Sequence, residues 1–304
     1  MCYHKHLFME KQSKILVTGA SGLIGSALVR LLEAEGYENV LTPDSSFCDL
    51  RFQKATYNYF EEHKPEYVFH LAACVGGIKS NFDYPGEFIF DNTIMHCNVF
   101  ESCRVFDVKK LLFPGSACAY PRDAEQPIKE SSLLRGMPEP TNLAYAVAKQ
   151  NGIVMAQSYA KQFGMKVVLP MVANTYGIGD KSTHVIPQMI EKFDSDTDVV
   201  LWGTGTPLRE FIYADDVAEA FLFLMLNYDS PEIINVGTGV EYSISALAHK
   251  ISDAIRYERK IGFDETKPDG IPRKCLDSSR IRAMGWKPKV SLEEGLGRII
   301  DADK

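Results

Sequence analysis

No CxxC pair occurs anywhere in the 304-residue sequence. Its seven cysteines (2, 48, 74, 97, 103, 118 and 275) are odd in number and scattered. They offer no zinc-ligand spacing and no dithiol redox motif, and they read as free thiols in a reducing cytoplasm. No apolar run is long enough to span a bilayer, so no membrane partner is expected. Positive charge is in short supply: 33 Lys and Arg stand against 40 Asp and Glu, for a net charge of −7. That balance argues against a nucleic-acid partner, which requires a basic face. It leaves room for an anionic small ligand, because a few local Arg and Lys residues can bind a diphosphate. Repeats and low-complexity segments are absent. The N-terminus, MCYHKHLFMEKQS, lacks the apolar core and cleavage site of a signal peptide. Residues 1–13 read as a poorly ordered extension, with Met9 a candidate start.

What is present is 45% hydrophobic content over a chain longer than one typical domain, enough for a full core. The first half alternates short apolar runs with amphipathic ones. KILVTGA reads as a strand, and Leu23, Ile24, Ala27, Leu28, Leu31 and Leu32 then share a helical face. Gly36 ends that helix. ENVLT, PEYVFHLAA, KKLLFPGS and KVVLPMVA read as further strands. ATYNYFEEH, DNTIMHCNVFESCRVF and NLAYAVAKQNGIVMAQSYAKQFG read as the helices between them. Such alternation predicts an α/β fold: a doubly wound parallel Rossmann sheet. After Gly177 the rhythm loosens. Residues 14–177 are expected to form the dinucleotide-binding domain, its sheet completed near 208–238, where EIINVGT is another strand. Residues 178–207 and 239–300 are expected to form a smaller mixed α/β substrate-binding lobe, interleaved in sequence, with a cleft between.

GASGLIG places Gly19, Gly22 and Gly25 between the first strand and the first helix. Glycines there let the backbone approach a pyrophosphate lying on the helix N-terminus. Beyond the second strand, Asp44 in PDSSFCDL is placed either to bond a ribose 2′-hydroxyl, which favours NAD(H), or to cap the turn after Pro43. Ser21, Ser45 and Ser46 can instead bond a phosphate without bringing charge. HLAA, His70 to Ala73, is expected to line the cofactor cleft.

YAVAK puts Tyr145 and Lys149 on one helical face. A tyrosine ordinarily titrates near about 10, so a lysine ammonium and a positive nicotinamide are expected to favour its phenolate. The strand-end Ser116 would hydrogen-bond a substrate oxygen, and Tyr145 would protonate it as hydride arrives. A carbonyl reductase needs no more. FPGSACAYP adds a thiol, Cys118, that such a reaction does not use.

The G-x-x-G-x-x-G turn resembles that of the extended short-chain dehydrogenase/reductases. GSACAYP, EPTNLAYAVAK, NTYG, STHVIP, LWGTGTPLREFIYADDVA, INVGTG and KPDGIPRKCLD together resemble the GDP-L-fucose synthase family, in order from about Lys14 to Leu296. That family comprises GDP-4-keto-6-deoxy-mannose 3,5-epimerase/4-reductases. The resemblance implies NADP(H) as cofactor, held by Gly19, Ser21, Gly22, Leu23, Ile24, Gly25, Asp44, Asp49, Leu50, Leu71, Ala72, Ala73, Tyr145, Lys149, Val172 and Asn174. It implies Cys118 as the base and His184 as the acid on the opposite face. Thiol and imidazole titrate near about 8.5 and about 6.5, close enough to neutrality to exchange protons with carbons beside a ketone. It implies that Asn174 positions the sugar, Arg209 and Lys192 hold the diphosphate, Trp202 offers a flat face, and Lys267 and Arg273 lie in a loop closing over the nucleotide. A GDP-linked 4-keto sugar is the implied substrate and a homodimer, through the helices around His96–Phe106 and Tyr145, the implied assembly. Two departures bear on these implications. The segment IGDKST, Ile178 to Thr183, is short, and serines stand where bacterial members often carry arginines. The alternatives are a single-activity C4-reductase or C3/C5-epimerase for a deoxyheptose or colitose precursor, and a non-catalytic dinucleotide sensor.

Overall fold

The computed structural model describes residues 9–180, 182–195, 197–267 and 269–302. Strand β1 (Lys14–Thr18) buries Ile15, Leu16, Val17 and Thr18 in succession. A strand covered by helices on both faces needs such an uninterrupted run. Helix α1 (Leu23–Ala34) turns Ala27, Leu28 and Leu32 inward. Next come β2 (Asn39–Leu41), α2 (Gln53–His63), β3 (Tyr67–His70), α3 (Ile78–Asp83), α4 (Pro85–Val105), β4 (Lys110–Leu112) and β5 (Gly115–Ser116). Short 3-10 turns occupy much of the stretch before α5 (Leu143–Phe163), β6 (Val167–Val172) and β7 (Asn174–Tyr176). The remaining elements are α6 (Val185–Phe193), β8 (Val199–Trp202), β9 (Leu208–Tyr213), α7 (Ala214–Asn227), β10 (Ile233–Val236), β11 (Glu241–Ser243), α8 (Ile244–Ile255), β12 (Ile261–Asp264), β13 (Arg273–Lys274), α9 (Ser279–Ala283) and α10 (Leu292–Ala302).

The large sheet runs β2-β1-β3-β4-β6-β10, with β5 beside β6, and its pairings are parallel. The strand order reverses between β1 and β3, where Thr18 and His70 are register partners. In an open α/β sheet the ligand crevice opens beyond the strand ends at such a reversal. The doubly wound expectation therefore holds, and so does the return of a late strand to this sheet.

The segment near 208–238 divides, however. Helix α7 and β10 complete the large layer, while β9 forms a second sheet with β7, β11 and β13. That sheet, with β8 and β12, carries the second apolar cluster, built from residues such as Phe193, Phe211, Leu247, Ile251 and Leu296. The two lobes are interleaved, and β7–β9 is the seam between them. Helix α4 starts at Pro85, earlier than its apolar pattern suggested, because proline suits the first helical position.

The N-terminal expectation needs correction. Residues 1–8 lie outside the described residues, but Met9 is packed in the main core, and the Glu38 N–H donates to the Lys11 carbonyl at 2.9 Å. Residues 9–13 are thus part of the domain. Among the described residues, no helix is long and apolar enough to cross a membrane.

Candidate active site

The glycine turn follows β1 and leads directly into α1. Gly19 adopts φ +69, and a Cβ there would lie 2.7 Å from the Ala72 nitrogen. A Cβ on Gly25 would lie 2.0 Å from the Gly19 carbonyl oxygen. Both positions demand glycine, one for conformation and both for space. Gly22 is the helix N-cap and offers no side-chain cap, so the first α1 N–H groups face the crevice without one. Such a bare N-terminus, beside a turn with no side chains in the way, fits a dinucleotide pyrophosphate. Leu71, Ala72 and Ala73 continue from β3 along the same crevice, with the Ala72 N–H donating to Thr18 Oγ1 at 3.1 Å. Val172 ends β6 on its other side. Ser21, Leu23 and Ile24 remain partly or fully exposed at the turn.

His70 does not line this crevice. It is buried, bonded to Thr18 Oγ1 at 2.8 Å and to His96 Nδ1 at 3.1 Å. Burial pulls its imidazole down to about 3, so it is a neutral core residue.

At the far edge, the Asp44 carboxylate accepts bonds from the Ser46 N–H, the Ser46 hydroxyl and the Phe47 N–H at 2.8, 2.6 and 3.0 Å. It caps its own turn, and those bonds hold it below the usual carboxylate range. Asp49 pairs with Arg51 at 2.8 Å, and Arg51 also reaches Asp91 at 3.3 Å. Leu50 is buried between them. Arg51 was not singled out by the motifs, although it directly follows Asp49 and Leu50.

The chemical centre gathers at the end of β5. Ser116 caps the 3-10 turn that carries Cys118, its Oγ accepting the Cys118 N–H at 3.2 Å. This bond is why the two side chains present themselves together. Tyr145 and Lys149 come from the first turns of α5. Both are shaped by desolvation more than by one another. Burial, then the Cys118 charge, pushes the Tyr145 phenol above its ordinary range, against a Ser116 hydrogen bond that lowers it. Burial pulls the Lys149 ammonium down to about 7. Lys149 donates to the Pro114 carbonyl at 2.9 Å and lies 5.9 Å from the centre of the Tyr145 ring. The expected lysine-driven phenolate is therefore not what these side chains produce by themselves.

One residue that the motifs did not single out completes this centre. Lys274 Nζ donates to Cys118 Sγ at 3.1 Å. The sequence placed its neighbour Arg273 in the site instead. Arg273 turns to the other side of β13 and holds Glu241 through two nitrogens, with contacts down to 2.7 Å. The alternation of a strand separates the two cations, and only the β13 register reveals which one faces the thiol.

The second lobe supplies the rest. Asn174 donates from Nδ2 to the Glu210 carbonyl at 2.9 Å, which anchors its amide at the seam. Arg209 is half-buried, and its charge senses Cys118, Asp269 and Glu139. Trp202 is 70% exposed at the end of β8, with Lys267 Nζ 5.7 Å from its ring centre. Lys192 is exposed in the last turn of α6. His184 is exposed at the N-cap of that helix, next to Thr183, whose hydroxyl accepts the Gly77 N–H at 2.7 Å. Among the described residues no cluster of three or more His, Cys, Asp or Glu could hold a metal ion.

A parallel sheet with a glycine-lined crevice at its strand reversal, and a Ser–Tyr–Lys set beside it, defines a nucleotide-dependent short-chain epimerase or reductase. The model of the NAD dependent epimerase/dehydratase family matches residues 15–237, and the chain belongs to that family. Putative GDP-L-fucose synthase 2 of Arabidopsis thaliana is 44% identical to it, over 96% of this chain and 92% of that one. GDP-L-fucose synthase of Escherichia coli (strain K12) is 40% identical, over 95% of each. Among solved structures, a GDP-L-fucose synthetase from Naegleria fowleri bound to NADP superposes with a TM-score of 0.89 at 31% identity, covering 97% of this chain and 94% of that one.

Proposed function

We propose that this chain epimerises C3 and C5 of a GDP-linked 4-keto-6-deoxy hexose and then reduces C4, giving GDP-L-fucose or a close analogue. The observation that carries this reading is Cys118 held on the same short turn as Ser116 and facing the Tyr145 site. A ketone at C4 acidifies the hydrogens on both neighbouring carbons. Cys118 as thiolate removes one of them: the C–H bond breaks, an S–H bond forms, and the electron pair moves onto the C4 oxygen. Ser116 and Tyr145 donate to that oxygen, which stabilises the enolate. His184 returns a proton to the opposite face and inverts the carbon. Between the two inversions Cys118 releases its proton to solvent and the exposed His184 takes one up, so both return to their starting forms. In the reduction Tyr145 gives its proton to the same oxygen, so one oxyanion site serves three steps.

NADP(H) fits the crevice described above, and when bound it supplies hydride to C4. Gly19, Gly22 and Gly25 would take the pyrophosphate, with Leu71 to Ala73, Val172, Tyr145 and Lys149 along the nicotinamide arm. Arg209, Lys192, Trp202 and Lys267 would hold the nucleotide end of the substrate. Gly25→Ala forces its Cβ against the Gly19 carbonyl, a 2.0 Å approach. Fluorescence titration should show NADPH affinity reduced by about tenfold or more, the change that about 1.4 kcal/mol of lost binding produces. Unchanged affinity would remove the glycine turn from the cofactor site.

A homodimer through α4 and α5 accompanies this reading. Ile89, Phe90, Val105, Val154 and Phe163 are exposed apolar residues on these two helices, and a second copy would cover them. A reducing cytoplasm fits the half-buried Cys118 and the other free thiols.

The test is turnover in deuterium oxide with NADPH and GDP-4-keto-6-deoxy-mannose. Deuterium at C3 and C5 of a fucose product is the expected result. A reduced product labelled at neither carbon would instead support a C4-reductase for another GDP-linked 4-keto sugar, of the deoxyheptose or colitose type. That second reading draws on a GDP-6-OMe-4-keto-L-xylo-heptose reductase from C. jejuni, which superposes with a TM-score of 0.92 at 30% identity over 96% of this chain and 98% of that one.

A further inference from the structure

We infer that Lys274 is the positioning residue that favours the Cys118 thiolate, so that the base of the epimerisation is assembled from both lobes. This rests on the reading of Cys118 as base given above. Its geometric support is independent of the reaction.

A cysteine in a half-buried turn has a weak claim to negative charge. Removal from water disfavours the thiolate, and a structural thiol in such a place stays protonated. The other cysteines show this: burial drives Cys48 up to about 11, and Cys103 and Cys275 upward as well. Cys118 goes the other way. Burial pushes it up, but the Lys274 charge and hydrogen bond, then bonds from Ser116 and Asn142, leave it below its ordinary value. Among the described residues, the 3.1 Å contact from Nζ to Sγ is the feature the other thiols lack.

That contact is built. Lys274 sits on β13, where it is the register partner of Arg209 on β9. On its C-terminal side, the Cys275 N–H donates to Gln126 Oε1 at 3.0 Å, and the Cys275 carbonyl accepts the Ile128 N–H at 2.8 Å. The Leu276 N–H donates to the buried carboxylate of Glu210 at 2.8 Å. The Arg273 side chain is tied to Glu241 on the opposite side of the strand. The backbone of Lys274 is thus pinned from both lobes, and its side chain is left to meet the sulfur.

The other groups around the thiol do not replace it. Tyr145 on α5 is a neutral phenol. Arg209 on β9 is cationic and its charge reaches Cys118, but its Nη1 donates to the Leu208 carbonyl at 2.8 Å and, among the described residues, it makes no hydrogen bond to the sulfur. Arg122 is paired with Glu139 at 3.4 Å, and Arg273 with Glu241 at 2.7 Å. In the proton transfer the C–H hydrogen ends on sulfur, beside the Lys274 Nζ. A carbon acid therefore meets a base already biased toward its charged form.

The test uses the full chain and iodoacetamide. Alkylation of the Cys118 peptide is followed by mass spectrometry, without substrate, from about pH 5 to about pH 10, the range that brackets thiol ionisation. The wild-type midpoint is expected below the ordinary thiol value of about 8.5. Lys274→Met should raise the midpoint by about one unit or more, and Lys274→Arg should stay near wild type. Deuterium exchange by Lys274→Met should fall, by up to about tenfold at pH values below both midpoints, and recover as the pH is raised, because there one unit is a tenfold change in thiolate. Lys274→Gln replaces the methionine variant if that one fails to fold, as judged by circular dichroism. An unchanged midpoint in a folded variant would overturn the inference. So would a raised KM with an unchanged midpoint, which would make Lys274 a diphosphate ligand. A wild type that exchanges no deuterium would defeat the proposed function, while the alkylation midpoints would still decide the role of Lys274.

Discussion

Cys118→Ser should lose deuterium exchange at C3 and C5 while still reducing a C4 ketone. A hydroxyl is no base near neutrality, so the serine keeps the shape of the turn and removes its basicity. Positioned general bases contribute about 10²–10⁴ in rate, and exchange should fall by that order. Ser116 and Tyr145 are untouched, so reduction should persist and deliver an unepimerised product. The Cys118 charge is the second-ranked influence raising the Tyr145 phenol, after burial. Its removal should therefore move the basic limb of the reduction profile to lower pH. NMR of the product sugar and the NADPH absorbance decay read the two activities separately. Full exchange in the folded variant would show that some other group is the base.

Tyr145→Phe should depress both activities together. In the proposed reaction the phenol donates the proton for reduction, worth about 10²–10⁴ in rate. There it also donates to the enolate oxygen, and losing one such donor typically costs about 10²–10³. The substitution removes a single oxygen from a half-buried side chain, so folding should be unaffected. A variant that exchanges at the wild-type rate yet fails to reduce would show that the enolate rests on Ser116 alone, and that the three steps do not share one site. Read together, the two variants separate a residue serving one reaction from a residue serving both.

The first half of the fold was legible because period and punctuation agree there. KILVTGA followed by a 3.6-residue apolar pattern can hardly be anything other than a buried strand entering a helix. β1, α1 and the glycine turn between them fall where the sequence places them. The same holds for Ser116 and Cys118, whose turn is local, and for Tyr145 and Lys149, whose spacing is set by one helix. β9 was harder. LREFIY has the apolar content of any strand, and only its pairing with β7, β11 and β13 takes it out of the large sheet. His70 looked like a cleft residue because it ends a strand, but its side chain turns into the core toward His96.

The residue types and their local spacing determined by themselves the Rossmann layer, the glycine turn and the placement of Ser116, Cys118, Tyr145 and Lys149. These depend on contacts within one turn, one strand or one helix. Tertiary structure alone decided the protonation tendencies of those side chains and the neighbour of the thiol. Desolvation depends on everything that packs around a group: it raises Tyr145 and lowers Lys149 against the expectation drawn from their proximity. Lys274 lies 156 positions from Cys118 and reaches it only because β13 pairs with β9 in one register and not the next. A shift of one residue would present Arg273 to the sulfur instead, since side chains on a strand alternate between its two faces.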